Sequence, residues 1–158
     1  MKEKNGTYSI RRLMRIMIVI IIYQYELFDK TIDSEEIFKL DKFNELFNFN
    51  VLKIKNISQI QKEQSSILST IEKNYKVFKK TITNFIRTDW SWSRLNPLVR
   101  SILLCASVEL WKLDVGIVAN EYVQIAKDFI PDDKSYKFIN IVIEEIGKKY
   151  NVFKQKSN

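Results

Sequence analysis

Seven apolar residues in a row, Ile16–Ile22, directly follow three clustered arginines, Arg11, Arg12 and Arg15. This junction limits the folds open to the chain. A helix through the block would be apolar on every side, and such a helix must be enclosed by others. Isoleucines would suit a strand as well, so the rest of the chain decides. With only 3 glycines and 2 prolines, and apolar residues spaced mostly three or four apart, the chain reads as all-α. The block falls short of the roughly 20 residues that span a bilayer. It is followed by Tyr23, Gln24, Tyr25 and Glu26, not by the small residues of a signal-peptide cleavage site. A membrane-surface role is the lesser reading.

The pattern predicts about six or seven helices in a single domain over 1–158, with a basic arm at about 1–8 and a basic tail at about 151–158. The first helix runs from about Ser9 to Phe28. Asp33 followed by Glu36 gives a capping-box-like start, with Ile37, Leu40, Phe43 and Phe47 facing inward, and Asn48 to Asn56 is expected as loop. From about Ser65, the series Ile67, Ile71, Tyr75, Phe78, Ile82 and Phe85 is amphipathic and fits one long helix or two abutting ones. Asn96 then Pro97 is a cap followed by proline at the first helical position. That helix should run to about Leu113 and stop before Gly116. Another spans about Ile117 to Phe129, ended by Pro131. Asp132 or Asp133 caps the last, whose face is Phe138, Val142, Ile146, Tyr150 and Phe153, with Glu144–Lys148 and Glu145–Lys149 as outward pairs.

Charge and composition narrow the chemistry. The net charge of +7 favours a polyanionic partner. A single cysteine, Cys105, excludes an internal disulfide and fits a reducing, cytoplasmic setting. There is no histidine, so the usual general base and the commonest metal ligand are missing. No glycine-rich phosphate loop or paired-cysteine motif is present. The chain is expected to be no enzyme and to need no metal or cofactor.

Steps of about 100° per residue put Arg11, Arg12 and Arg15 within one arc of a helix. They lie in its first turns, where the helix dipole disfavours cations, so an anion from outside the fold explains them better than stability does. The alternative is a solvated basic end that binds nothing. Glu109 interrupts the apolar stripe of Leu98, Ile102, Cys105, Ala106 and Leu113, and a carboxylate there needs a cation or several donors. Two readings stay open: an ion pair with an arginine of the first helix, or a ligand-facing role. Trp90, Trp92 and Trp111 could stack on bases, although tryptophans at helical spacing are more often core.

Four motifs in order resemble one family. Arg11-Arg12-x-x-Arg15, followed by Tyr23, is similar to the arginine-rich opening helix of the NusB family of transcription antitermination factors. Trp90-x-x-x-Arg94-Leu95-Asn96-Pro97-x-x-Arg100-x-Ile102-Leu103, continuing to Ala106-x-x-Glu109-Leu110, is similar to its W-x-x-x-RL-x-P-x-x-R-x-IL-x-x-A-x-x-EL. Asn120-Glu121-x-Val123-x-Ile125-Ala126-Lys127-x-Phe129 and Ser135-x-Lys137-Phe138-Ile139-Asn140 match NEAVELAKRF and S-x-KFVNGVL. Order and spacing agree from about Ser9 to Ile146, except over about Thr31 to Ile86, where only the helical pattern matches.

The resemblance implies an all-α fold of two helical subdomains and a non-catalytic adaptor. The adaptor would bind the boxA element of nascent RNA together with NusE, a small ribosomal subunit protein, within the RNA polymerase antitermination complex of ribosomal RNA operons. Carried over by position, Arg11, Arg12 and Arg15 would meet phosphates. Tyr23, Lys137 and Phe138 would belong to the RNA face, and Glu109, Lys112 and Asp114 to the partner face. The chain departs from the family pattern at Ile16 and Ile20 (Glu and Gln), Leu104 (Arg), Gly116 (Pro), Tyr136 (His) and Ile141 (Gly), and is about two residues short before Asn120. An alternative expectation follows from these changes: a helical adaptor that keeps NusE docking and has lost boxA reading.

Overall fold

The computed structural model describes residues 9–39 and 57–156, and all of their regular structure is helical. Six α-helices follow one another: α1 Ile10–Leu27, α2 Ser34–Lys39, α3 Ile57–Thr83, α4 Pro97–Glu109, α5 Val115–Phe129 and α6 Asp133–Lys156, with a 3-10 turn at Trp92–Arg94. Leu40, Phe43, Phe47, the Asn48–Asn56 segment, the arm at 1–8 and the side chain of Phe153 lie outside the described residues. Through 151–156, expected as tail, α6 continues.

α4 is the axis of the fold. Every residue from Val99 to Val108 is buried, which is what an all-round apolar helix requires. Helices α1, α2 and α3 form one group and α5 and α6 a second, and α4 packs against α1, α3, α5 and α6. Its two buried serines are satisfied: Ser101 Oγ donates to the carbonyl of Val19, and Ser107 Oγ to that of Leu103 at 2.7 Å. The block Ile16–Ile22 lies against α4 as the sequence requires, with Ile18 and Ile22 at 1% and 0% exposure. Its one open position is Ile20.

The caps follow the sequence closely. Ser9 Oγ accepts from the Arg12 amide at 3.3 Å, Asn96 Oδ1 from Leu98 at 2.8 Å, and Asp33 Oδ1 from Glu36 at 3.0 Å. Asp132 caps α6 by accepting from both the amide and hydroxyl of Ser135. Those two bonds hold its carboxyl below the ordinary range.

Three boundaries differ from expectation. α3 is one helix that begins at Ile57, eight residues ahead of Ser65. The core position that should announce its early turns is a glutamine: Gln64 is fully buried, with Nε2 3.6 Å from the Met17 sulfur. α4 ends at Glu109, and Gly116 lies inside α5 because Asp114 caps that helix, Oδ1 accepting the Gly116 amide at 2.8 Å. On α6 the outward ion pair is Glu145 with Lys148 at 3.3 Å, an i,i+3 contact in place of the two i,i+4 pairs.

Gly147 sets how closely α6 approaches the α4–α5 connection. A Cβ added there would lie 2.8 Å from Val115 Cβ and 3.6 Å from Leu110 Cδ2. Gly147→Ala is therefore expected to destabilise by about 1–3 kcal/mol through overpacking, against the gain in helix propensity that alanine would otherwise bring. The urea midpoint measures it, and a midpoint at or above that of the parent would show that the connection yields.

Candidate nucleic-acid interface

The arginine cluster is divided by the fold. Arg11 is exposed, whereas Arg12 is 2% exposed and turned inward. Arg12 Nε donates to Glu121 Oε2 at 2.9 Å. Arg15 makes a forked contact with Glu109, Nε to Oε2 at 2.8 Å and Nη2 to Oε1 at 3.0 Å, and its Nη1 lies 3.5 Å from Glu121 Oε2. The two carboxylates thus offset the dipole cost of placing cations at the start of α1. Arg12 Nη2 is buried without a hydrogen-bond acceptor.

These pairs shape the local electrostatics. Burial alone would lower the Arg15 pKa, but the bonds and charge of Glu109 outweigh it and hold the value above ordinary. Burial likewise acts to raise Glu121, and Arg12 outweighs it, so the carboxyl sits below its usual range. The phenol of Tyr122 and the thiol of Cys105 are both pushed up, first by burial and then by Glu109 beside them. Glu109 makes the ion pair with a first-helix arginine, and it was the more distant Glu121 that sequence reasoning missed as the partner of Arg12.

Two open concavities carry some of the remaining site residues. A groove of about 380 Å³ brings Arg11 together with Glu109 and Lys112, and adds Lys62 and Glu63 from α3. Asp114 is spent as the α5 cap. A second cleft, of about 510 Å³, is lined by Trp90, Phe138, Phe85, Arg87, Arg94 and Lys134. Trp90 is 48% exposed, so of the three tryptophans it offers the free ring. Trp92 is buried under Arg100 and edge-on to Tyr75, and Trp111 packs on Phe78. Lys137 is exposed beside Phe138, and Tyr23 is half-buried on α1 and lines neither concavity. No helix among the described residues is long and apolar enough to cross a membrane.

A sequence model described as the NusB family matches residues 12–148. The chain belongs to the NusB family. The transcription antitermination protein NusB of Fervidobacterium nodosum is 26% identical over 145 residues, covering 90% of this chain and 93% of the relative. The protein of the same name from Sinorhizobium fredii is 33% identical over 87 residues, so the match spans only 53% of this chain and 54% of that relative. The solved structure of T. maritima NusB superposes with a TM-score of 0.71 at 23% identity, over 90% of this chain and 93% of that one. It establishes the shared all-α fold.

Within the NusB frame, the departures from the family pattern acquire places. Ile16 and Leu104 are buried at 7% and 0%, where they add apolar surface to the core. Gly116 supplies an amide to the Asp114 cap that a proline could not. Tyr136 lies 5.0 Å beneath the Lys127 ammonium. Ile20 and Ile141 are exposed, and nothing in the structure explains them.

Proposed function

We propose that the chain is a non-catalytic, cytoplasmic RNA-binding adaptor of transcription antitermination. In this reading it takes a boxA-type single-stranded RNA together with NusE and delivers both to the RNA polymerase antitermination complex. The observation that carries the reading, beside family membership, is the cleft in which Trp90 and Phe138 lie among Arg94, Lys134 and Arg87, the last paired with Asp89, with Asp132 as its one lining acid among the described residues. Aromatic rings among cations are what unpaired bases and their phosphates need. At the other concavity Arg11, exposed and ion-paired with no acid among the described residues, meets phosphate, and Lys112 with Glu109 offers a partner contact. Lys137 is a second phosphate contact beside the cleft, and Tyr23 a flanking one on α1. Arg12 and Arg15 act through the fold, holding the start of α1 in place.

Fluorescence anisotropy on a boxA-like RNA and a scrambled control, at two salt concentrations and with and without NusE, tests this. Trp90→Ala and Phe138→Ala are each expected to weaken boxA binding by about 1–3 kcal/mol, the worth of one stacked base. Arg11→Glu should weaken it in a salt-dependent way. Equal, salt-erased binding of both RNAs by the parent protein would sink the reading. The internal pairing of two of the three arginines favours a second reading, a protein-only adaptor. It requires NusE capture in pull-down with RNA affinity indifferent to sequence.

A further inference from the structure

Among the described residues, α3 exposes a face rich in lysine. At about 100° per residue, Lys62, Lys73, Lys76 and Lys80 fall within an arc of about 60°. That arc lies opposite Leu68, Ile71, Phe78 and Ile82, which are fully buried against the core. All four lysines are exposed, and among the described residues none of them is ion-paired. Acids flank the row: Asp29, Asp33, Glu35 and Glu72 share concavities with Lys73, and Glu72 and Glu63 are engaged elsewhere. Glu72 accepts from the Ser34 amide at 3.2 Å, and Glu63 from Gln59 Nε2 at 3.4 Å. Lys73, Lys76 and Lys80 are spaced three and four apart, so they repel one another and weaken the helix slightly.

A row of exposed lysines is by itself only a solvated face. Its two ends make this one different. Lys62 lines the groove that holds Arg11 and Lys112, and just beyond Lys80 the residues Phe85 and Arg87 line the Trp90–Phe138 cleft. The row thus runs from one concavity to the other. From Lys62 to the end of α3 at Thr83 the helix rises about 31 Å, the length of roughly nine stacked nucleotides.

We propose that the outward face of α3 is a backbone track, along which a single RNA strand passes from the Arg11 groove to the Trp90–Phe138 cleft. The proposal rests on the RNA reading above and extends it to residues outside the family motifs. Lysines on flexible stems read phosphate as point charges, so the track adds affinity without sequence preference. A membrane surface fits less well, because the apolar face of α3 is consumed by the core and Val77 is the one exposed apolar side chain in the row.

The test compares the parent protein with a Lys73→Gln/Lys76→Gln/Lys80→Gln variant. Anisotropy is read on a short boxA-like RNA and on the same RNA extended by about nine uridines, the stacked length of the helix. Thermal melting checks the fold, and relief of repulsion should leave it unchanged or slightly raised. For the parent, the extension is expected to tighten binding about tenfold at low salt. The variant should bind the short RNA as the parent does and lose that gain. Its slope of log affinity against log salt on the extended RNA should fall by about 2. A variant that keeps the gain overturns the track, as does a parent that binds the short RNA and gains nothing from extension. A parent that ignores the short RNA yet binds the extended one through these lysines supports the track and fails the boxA reading. Polyglutamate displacing the RNA as well as RNA itself does would overturn the track in favour of an acidic protein.

Discussion

Arg100→Ala is expected to cost about 3–5 kcal/mol of stability, enough to unfold much of a domain whose total is about 5–15 kcal/mol. Arg100 is 8% exposed and joins three segments. Its Nη1 donates to the carbonyls of Trp92 and Leu95, both at 3.2 Å, and Nη2 to that of Glu26 at 3.1 Å. Its Nε lies 2.9 Å from Glu26 Oε2, an ionic contact without hydrogen-bond alignment. The other oxygen of Glu26 accepts from Tyr75 at 2.6 Å, and burial together with that carboxylate pushes the Tyr75 phenol well up. Truncation removes the counter-charge of the buried Glu26 carboxylate, which keeps only the Tyr75 hydroxyl, and takes one donor from each of three carbonyls. Arg100→Lys should recover little, since one ammonium cannot reach acceptors arranged around a planar fork. Urea denaturation of both variants measures the effect. A loss below about 1 kcal/mol for the alanine variant would mean that water replaces the guanidinium.

The second large effect is expected at Arg15. Arg15→Glu puts a third carboxylate beside Glu109 and Glu121, at a site where Arg15 and Glu109 are 10% and 13% exposed. The loss should again approach 3–5 kcal/mol, much of it the cost of an uncompensated buried charge. Arg15→Glu combined with Glu109→Arg should restore part of it. A melt that stays at the parent temperature would mean that the arginine serves a ligand and not the fold. Acid should act on the same cluster. Glu121 has a lowered pKa when folded, so its contribution is complete above the ordinary carboxylate value and fades as pH falls toward the folded one.

How much of this could be read from the sequence depended on range. The caps at Asn96 and Asp132 and the enclosed α1 were legible because helix signals act over a few residues. The start of α3 was not, since Gln64 occupies a core position that apolar periodicity cannot flag. Gly116 read as a stop, when the carboxylate two residues before it begins a helix. The arginines share an arc of α1 as expected. What divides them is a pair of acids 94 and 109 residues away in sequence, and one sequence cannot register contacts over that distance. The Trp90–Phe138 cleft was half visible: Phe138 came through the family motif, while the freedom of Trp90 emerged only when Trp92 took the buried place.

The sharing of α4 between both helical groups has a mechanical consequence. Separating the two groups of described helices would strip one side of a helix that is buried from Val99 to Val108, so opening between them is costly. Residues of α4 or its flanks line both the groove and the cleft. A ligand that occupied both would meet two sites set apart by the packing of α3 and α4.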